Sequence, residues 1–179
     1  GLLDPEIGGP SATPYQPDGY YVSLNFPKRR YQADRDERQY RRGVYTHWQR
    51  TFVHPMMANF DAPSREECTA DRPVSNTPQQ ALTLLNDPTF VEAARALAER
   101  AMTEPARTDF ETRIEHAFRL VLARSPSAEE RSGLKEFYFA QHANYRDEPD
   151  DAAALAAVGL HVTNTRLDRV ELAAWTQVA

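Results

Sequence analysis

The chain has 179 residues, 41% of them hydrophobic and 26% charged, with a formal net charge of -5 and a mean hydropathy of -0.67. That length is enough for one domain with a core of its own, and no stretch reaches the roughly 18 to 20 apolar residues of a membrane-spanning helix. The acidic balance points away from nucleic acid as a partner, and a single cysteine, Cys68, excludes an internal disulfide and any C-x-x-C metal, redox or haem-attachment motif.

Residues 1–75 carry 10 basic and 10 acidic groups, so the acidic excess lies wholly in residues 76–179, with 11 and 16. The start, Gly1-Leu2-Leu3-Asp4-Pro5, has no basic region followed by an apolar stretch and so shows no signal peptide. A first residue other than Met leads to the expectation of a fragment or processed product of a longer protein.

Two kinds of sequence follow one another along the chain. Nine of the 13 prolines fall at or before Pro78, and residues 1–75 are expected to be extended and loop-rich. One or two short strands are expected there, Tyr20 to Phe26 and, with a helix as the alternative, Gly43 to Val53, because aromatic and β-branched residues dominate both runs and a proline closes each. Residues 76–179 are expected to form an irregular bundle of about six helices, the whole chain being mainly α and a single domain. Thr77-Pro78-Gln79-Gln80 is a capping box with proline at the first helical position. Asn86-Asp87-Pro88 ends that helix and opens a second, in which Phe90, Ala94, Leu97 and Ala101 define the core face and Glu92, Arg95 and Glu99 are expected to lie away from it. A third helix carries Phe110, Ile114, Phe118, Val121 and Leu122. Ser127-Ala128-Glu129-Glu130 opens a fourth with Leu134, Phe137, Tyr138, Gln141 and Tyr145 on one side. An alanine-rich fifth helix runs from Asp150 to Val158 with Gly159 as its stop, and Asp168 caps a sixth bearing Leu172, Trp175 and Val178.

The residues with chemical potential crowd between Tyr40 and Pro88. His47, His54, Met56, Met57, Asp61 and Cys68 are possible metal ligands, but His47 and His54 match no established ligand spacing. They are weak metal candidates, and Met56 and Met57 read as packing residues. Cys68 lacks an identifiable base and reads as a small buried apolar side chain. Ser64-Arg65-Glu66-Glu67 reads as another capping box. The acidic pairs Glu66-Glu67, Glu129-Glu130 and Asp150-Asp151 read as helix starts or solvated faces, since neighbours on a helix do not face each other. His116 is expected to be exposed, and neither His142 nor His161 has a nameable partner. The basic clusters Lys28-Arg29-Arg30 and Arg41-Arg42 read as ion-paired or solvated, with an anion or acidic sugar as the alternative.

Several motifs together resemble a known family. These are Ile7-Gly8-Gly9-Pro10-Ser11, Tyr40-Arg41-Arg42-Gly43-Val44-Tyr45-Thr46-His47-Trp48-Gln49-Arg50, Phe60-Asp61-Ala62-Pro63-Ser64-Arg65-Glu66-Glu67-Cys68, Asn76-Thr77-Pro78-Gln79-Gln80 and Leu84-Leu85-Asn86-Asp87-Pro88. In order, they resemble the C-terminal uncharacterised domain of large planctomycete cytochrome-associated proteins. The resemblance implies an exported parent in the periplasm, cell envelope or extracellular space, with any c-type haem in a region N-terminal to this chain and no cofactor in the chain itself. The partners it implies are other domains of the parent or other envelope proteins. It carries over no catalytic residues. The leading expectation is therefore a structural or interaction module, with enzymatic activity unassigned. The alternative is a domain of an extracellular enzyme or redox partner acting on polysaccharide or another polymer, for which Arg41, Arg42, Asp61 and Arg65 are the weak catalytic candidates.

Overall fold

The computed structural model describes residues 1–22, 30–49 and 52–179. Among them the chain is mainly helical, with a loop-rich N-terminal region. The helices are α1 (Pro55–Asn59), α2 (Pro78–Asn86), α3 (Pro88–Thr103), α4 (Phe110–Leu122), α5 (Ala128–Asp147), α6 (Pro149–Ala156) and α7 (Arg169–Val178). The backbone gathers into two compact units, Leu2–Asp87 and Pro88–Ala179, the second also taking in Gly1.

Helices α2 to α7 coincide with the six expected from sequence, and side-chain chemistry sets their starts. Thr77 accepts from the Gln80 N–H at 3.2 Å while Gln80 accepts from the Thr77 N–H at 3.0 Å. Ser127 and Glu130 close the same reciprocal box at 3.1 and 2.8 Å. Asp109 and Asp168 cap α4 and α7 through the Thr112 and Glu171 N–H groups. Each cap satisfies a donor that the first helical turn leaves without an intrahelical partner.

In the C-terminal unit α7 packs against α3, α5 and α6. It carries Leu172 and Trp175 into a core completed by Ala98, Met102, Ile114, Tyr138 and Ala174, with Phe110, Phe118, Leu134 and Val178 around it. The Trp175 ring stacks on Phe110 at 5.3 Å between centroids and meets Tyr138 at 5.0 Å. Some residues of the expected core faces lie outside the core. Val121 and Leu122 are exposed at the end of α4, and Phe137 is partly exposed on α5.

The N-terminal unit is built differently. Its first segment runs parallel to residues 40–47, joined by the isolated bridges Asp4 to Arg41 and Ala12 to Thr46. No ladder develops, since Pro10 and Pro14 on either side of Ala12 have no N–H to donate. The expected strand Gly43 to Val53 is instead a 3-10 turn at Gly43–Tyr45, then the Ala12–Thr46 bridge, then an antiparallel pairing of Gln49 with Phe52; Arg50 and Thr51 lie outside the described residues. Of the other expected strand, residues 20–22 form a turn closed by the Val22 N–H on the Gly19 carbonyl, and 23–29 lie outside the described residues, as do Lys28 and Arg29 of the basic cluster. Short α1 had no clear sign in the sequence beyond Pro55 at its first position.

Candidate functional site

Arg41 is delivered by a 3-10 turn, Glu37–Tyr40, whose cap Asp36 accepts from the Arg38 N–H. The Arg41 side chain is only 4% exposed. Its Nη1 donates to the Pro10 carbonyl at 2.9 Å, and its Nη2 donates to the Glu6 carbonyl at 3.2 Å and to that of Gly8. Nε lies 3.7 Å from the Asp4 carboxylate, and the guanidinium carbon sits 3.8 Å from the Tyr45 ring centre. The Tyr45 hydroxyl in turn accepts from the Gly8 N–H at 2.9 Å. The planar fork of arginine donors suits such carbonyl gathering, so Arg41 straps residues 4–10 to the 3-10 turns. Arg42 is exposed, 5.7 Å from the same ring.

Asp61 follows α1 with a left-handed backbone, φ 60°, which aspartate tolerates better than most residues. Its carboxylate accepts from the Ser75 N–H at 2.8 Å and from the Ser75 hydroxyl, and Arg72 donates to the Asp61 and Phe60 carbonyls at 3.0 and 2.6 Å. The loop 61–75 is therefore closed at its neck. The Ser75 hydrogen bonds hold the Asp61 carboxyl below the usual carboxylate range, with smaller help from Gln80 and Arg72. Ser64 to Glu67 opens no helix: Arg65 is left-handed at φ 65°, the Ser64 hydroxyl closes a short turn on the Glu66 N–H, and the Arg65 guanidinium lies 3.9 Å from the Trp48 ring centre. Cys68 is exposed on this loop, not buried.

His54 stands at the start of α1, buried and without a side-chain capping hydrogen bond, 6.2 Å from the Tyr31 ring. Burial pushes its imidazole below the ordinary histidine range, opposed by the backbone of Tyr15 and Pro14 and by the Asp87 charge. The ring is neutral at pH 7. His47 is half-buried, its Nε2 3.3 Å from Gln49 Oε1. Among the described residues no three His, Cys, Asp or Glu side chains gather where one metal ion could be held.

His47 does border a cleft. One cavity of about 380 Å³ is lined by Thr13, Tyr21, Arg30, Tyr31, His47 and Gln49 among others. A second, of about 270 Å³, shares Tyr21, Arg30 and Tyr31 and extends to Gln16, Asp18 and Tyr20. Arg41, Arg42, Asp61 and Arg65 line neither.

In the C-terminal unit the structure reverses one expectation. Glu92 and Arg95 are buried, and Arg95 is 1% exposed. Arg95 donates to Glu99 at 3.0 Å and to the His161 and Val158 carbonyls at 2.7 and 3.3 Å, while Glu92 accepts from the Leu160 N–H at 2.6 Å and from that of His161. The loop after α6 folds over this stripe and supplies what the charges need. Gly159 makes the approach possible, having φ +90° and room for no side chain, since a Cβ there would stand 2.1 Å from Glu92 Cδ. The signal available in the sequence was the acid, base, acid spacing of Glu92, Arg95 and Glu99 along one stripe of a helix. The remaining histidines also find neighbours: His116 pairs with Glu104 at 2.7 Å, His161 stands 3.8 Å from Glu99, and His142 lies against Tyr138.

The family model PSD1, described as Protein of unknown function (DUF1553), matches residues 1–138, which is most of the chain. The chain belongs to that family. The PSD1 match takes in the Arg41 strap, the Asp61 neck, the cleft and the charged stripe of α3, and it ends at Tyr138 within α5. No curated protein and no solved structure matches the chain.

Proposed function

We propose that this PSD1 chain is a structural or interaction module of a larger exported, cytochrome-associated protein of planctomycete type. The observation that supports it is the employment of the candidate residues. Arg41 and Asp61, two of the side chains first considered for acid, base or anion chemistry, are committed to holding backbone: a strap across residues 4–10 and a neck at 61–75. A general acid or base must instead present its polar atoms to a substrate. Any c-type haem belongs to another region of the parent, because two thioether bonds need two cysteines and Cys68 is the one present. The partners of the module are then other domains of the parent or other envelope proteins, in the periplasm, at the cell envelope or outside the cell.

Cell fractionation with calorimetry tests the reading. The full-length parent should collect in the envelope or secreted fraction with a c-type haem absorbance, and this chain should bind the remainder of the parent saturably. A cytosolic parent without haem, or a chain that does not bind but turns over a polysaccharide panel, sinks the proposal.

A further inference from the structure

The cleft of the N-terminal unit has features that the strap and the neck do not use. Tyr21 and Tyr31 meet edge to face, 5.3 Å between centroids at 83°, and so form a right-angled aromatic corner. The corner is braced from outside. The Tyr31 hydroxyl donates to the Pro14 carbonyl, the Tyr20 hydroxyl to that of Val53 at 3.2 Å, and Phe52 lies edge-on to Tyr20 and Tyr21. Burial holds the Tyr31 phenol well above its ordinary range, so the ring stays neutral. Polar groups surround the corner: Arg30 and Asp18, of opposite charge, and the His47–Gln49 pair.

Gln16 supplies a separate observation. It lines the smaller cavity, is 7% exposed, and its Oε1 has no hydrogen-bond partner among the described residues. A buried acceptor without a donor is costly and uncommon. For Oε1 to accept from a ligand hydroxyl the amide must turn toward the cavity that Gln16 lines. A ligand that fits the smaller cavity must therefore offer an apolar face to an aromatic ring, a hydroxyl donor to Gln16 and no strong net charge, since that cavity is lined by both Asp18 and Arg30. Cavities of about 270 and 380 Å³ fall just below and just inside the lower bound of the roughly 300 to 1,000 Å³ of small-molecule sites, so each has room for a ligand of about one ring.

We propose that this cleft, with the Tyr21–Tyr31 corner as its platform and Gln16, Arg30, His47 and Gln49 at its edges, binds a single neutral sugar ring of a glycan. The inference does not rest on the module reading and stands or falls separately. Saturation-transfer NMR on the whole chain tests it, using the methyl glycosides of glucose, mannose, galactose and N-acetylglucosamine, with galacturonic acid as the charged contrast. The expected result is transfer to at least one neutral glycoside, strongest on the ring C–H protons of one face. Tyr21→Ala should weaken binding about ten-fold or more, and Gln16→Leu should weaken it without lowering thermal stability. Should Tyr21→Ala fail to fold, exposed Arg30→Ala reads the same cleft and should also weaken binding. No transfer from any neutral glycoside at about 10 mM, well above a millimolar Kd, overturns the proposal. So does transfer that Gln16→Leu and Arg30→Ala leave unchanged, or binding of galacturonic acid alone.

Discussion

Two backbone positions with positive φ make opposite predictions. Gly159, at φ +90°, lies under the Glu92 carboxylate. In Gly159→Ala the new methyl must displace Glu92 from the Leu160 and His161 N–H groups, in a conformation that an L side chain seldom adopts. A loss of roughly 3 kcal/mol in urea denaturation is expected from the strain and the broken charge-assisted hydrogen bonds together. Ala123 ends α4 at φ 54°, in the left-handed conformation usually given to glycine. There Ala123→Gly should raise stability by about 1 kcal/mol, the relief of the left-handed penalty. An equal or lower denaturation midpoint for that variant would mean that the turn is not strained.

Helices and loops in this chain are fastened by different means. The helices are set by caps and apolar faces, both short-range, whereas the loops are closed by single polar side chains reaching across many residues. The 61–75 neck is the clearest case, because one carboxylate holds both hydrogen-bond donors of Ser75. Asp61→Asn keeps the shape but removes the charge that Ser75 and Arg72 favour. Limited proteolysis should then cut within 62–74 several-fold faster, with the helices uncut. The pH dependence follows from the depressed Asp61 carboxyl. Its contribution is fully present above the unfolded carboxylate value of about 3.9 and is lost as pH falls through the lower folded value. Wild-type cleavage should therefore accelerate only in strong acid, and Asp61→Asn should show no such step. A cleavage rate equal to wild type at neutral pH would remove Asp61 as the closure.

The two units differ in what stabilises them. Among the described residues every buried apolar side chain except Ala12 and Pro14 belongs to the C-terminal unit, whereas buried positions of the N-terminal unit include Gln16, Thr46, Gln49, His54 and Gln80. Apolar burial is the main favourable term in folding, so the N-terminal unit should unfold first. The two tryptophans can report on this, since Trp48 lies in the N-terminal unit and Trp175, 2% exposed, at the centre of the other. In urea, fluorescence of Trp175→Phe should change at a lower midpoint than that of Trp48→Phe, by more than the destabilisation of either variant measured by circular dichroism. Coincident midpoints would show a single cooperative unit.

Much of this was legible from the residues alone. Helices α2 to α7 could be placed because Thr77, Ser127 and Asp168 satisfy donors only a few residues away and because apolar spacing repeats every turn. The loop-rich character of residues 1–75 followed from their prolines. Long-range pairing could not be read: that Arg41 straps residues 4–10, that Asp61 closes on Ser75, and that Glu92 and Arg95 are buried rather than facing solvent. A charged residue carries the same local signal whether it meets water or distant backbone. Its partners are chosen when the chain folds back on itself, and for Glu92 that choice depended on Gly159, 67 residues away, leaving space for it.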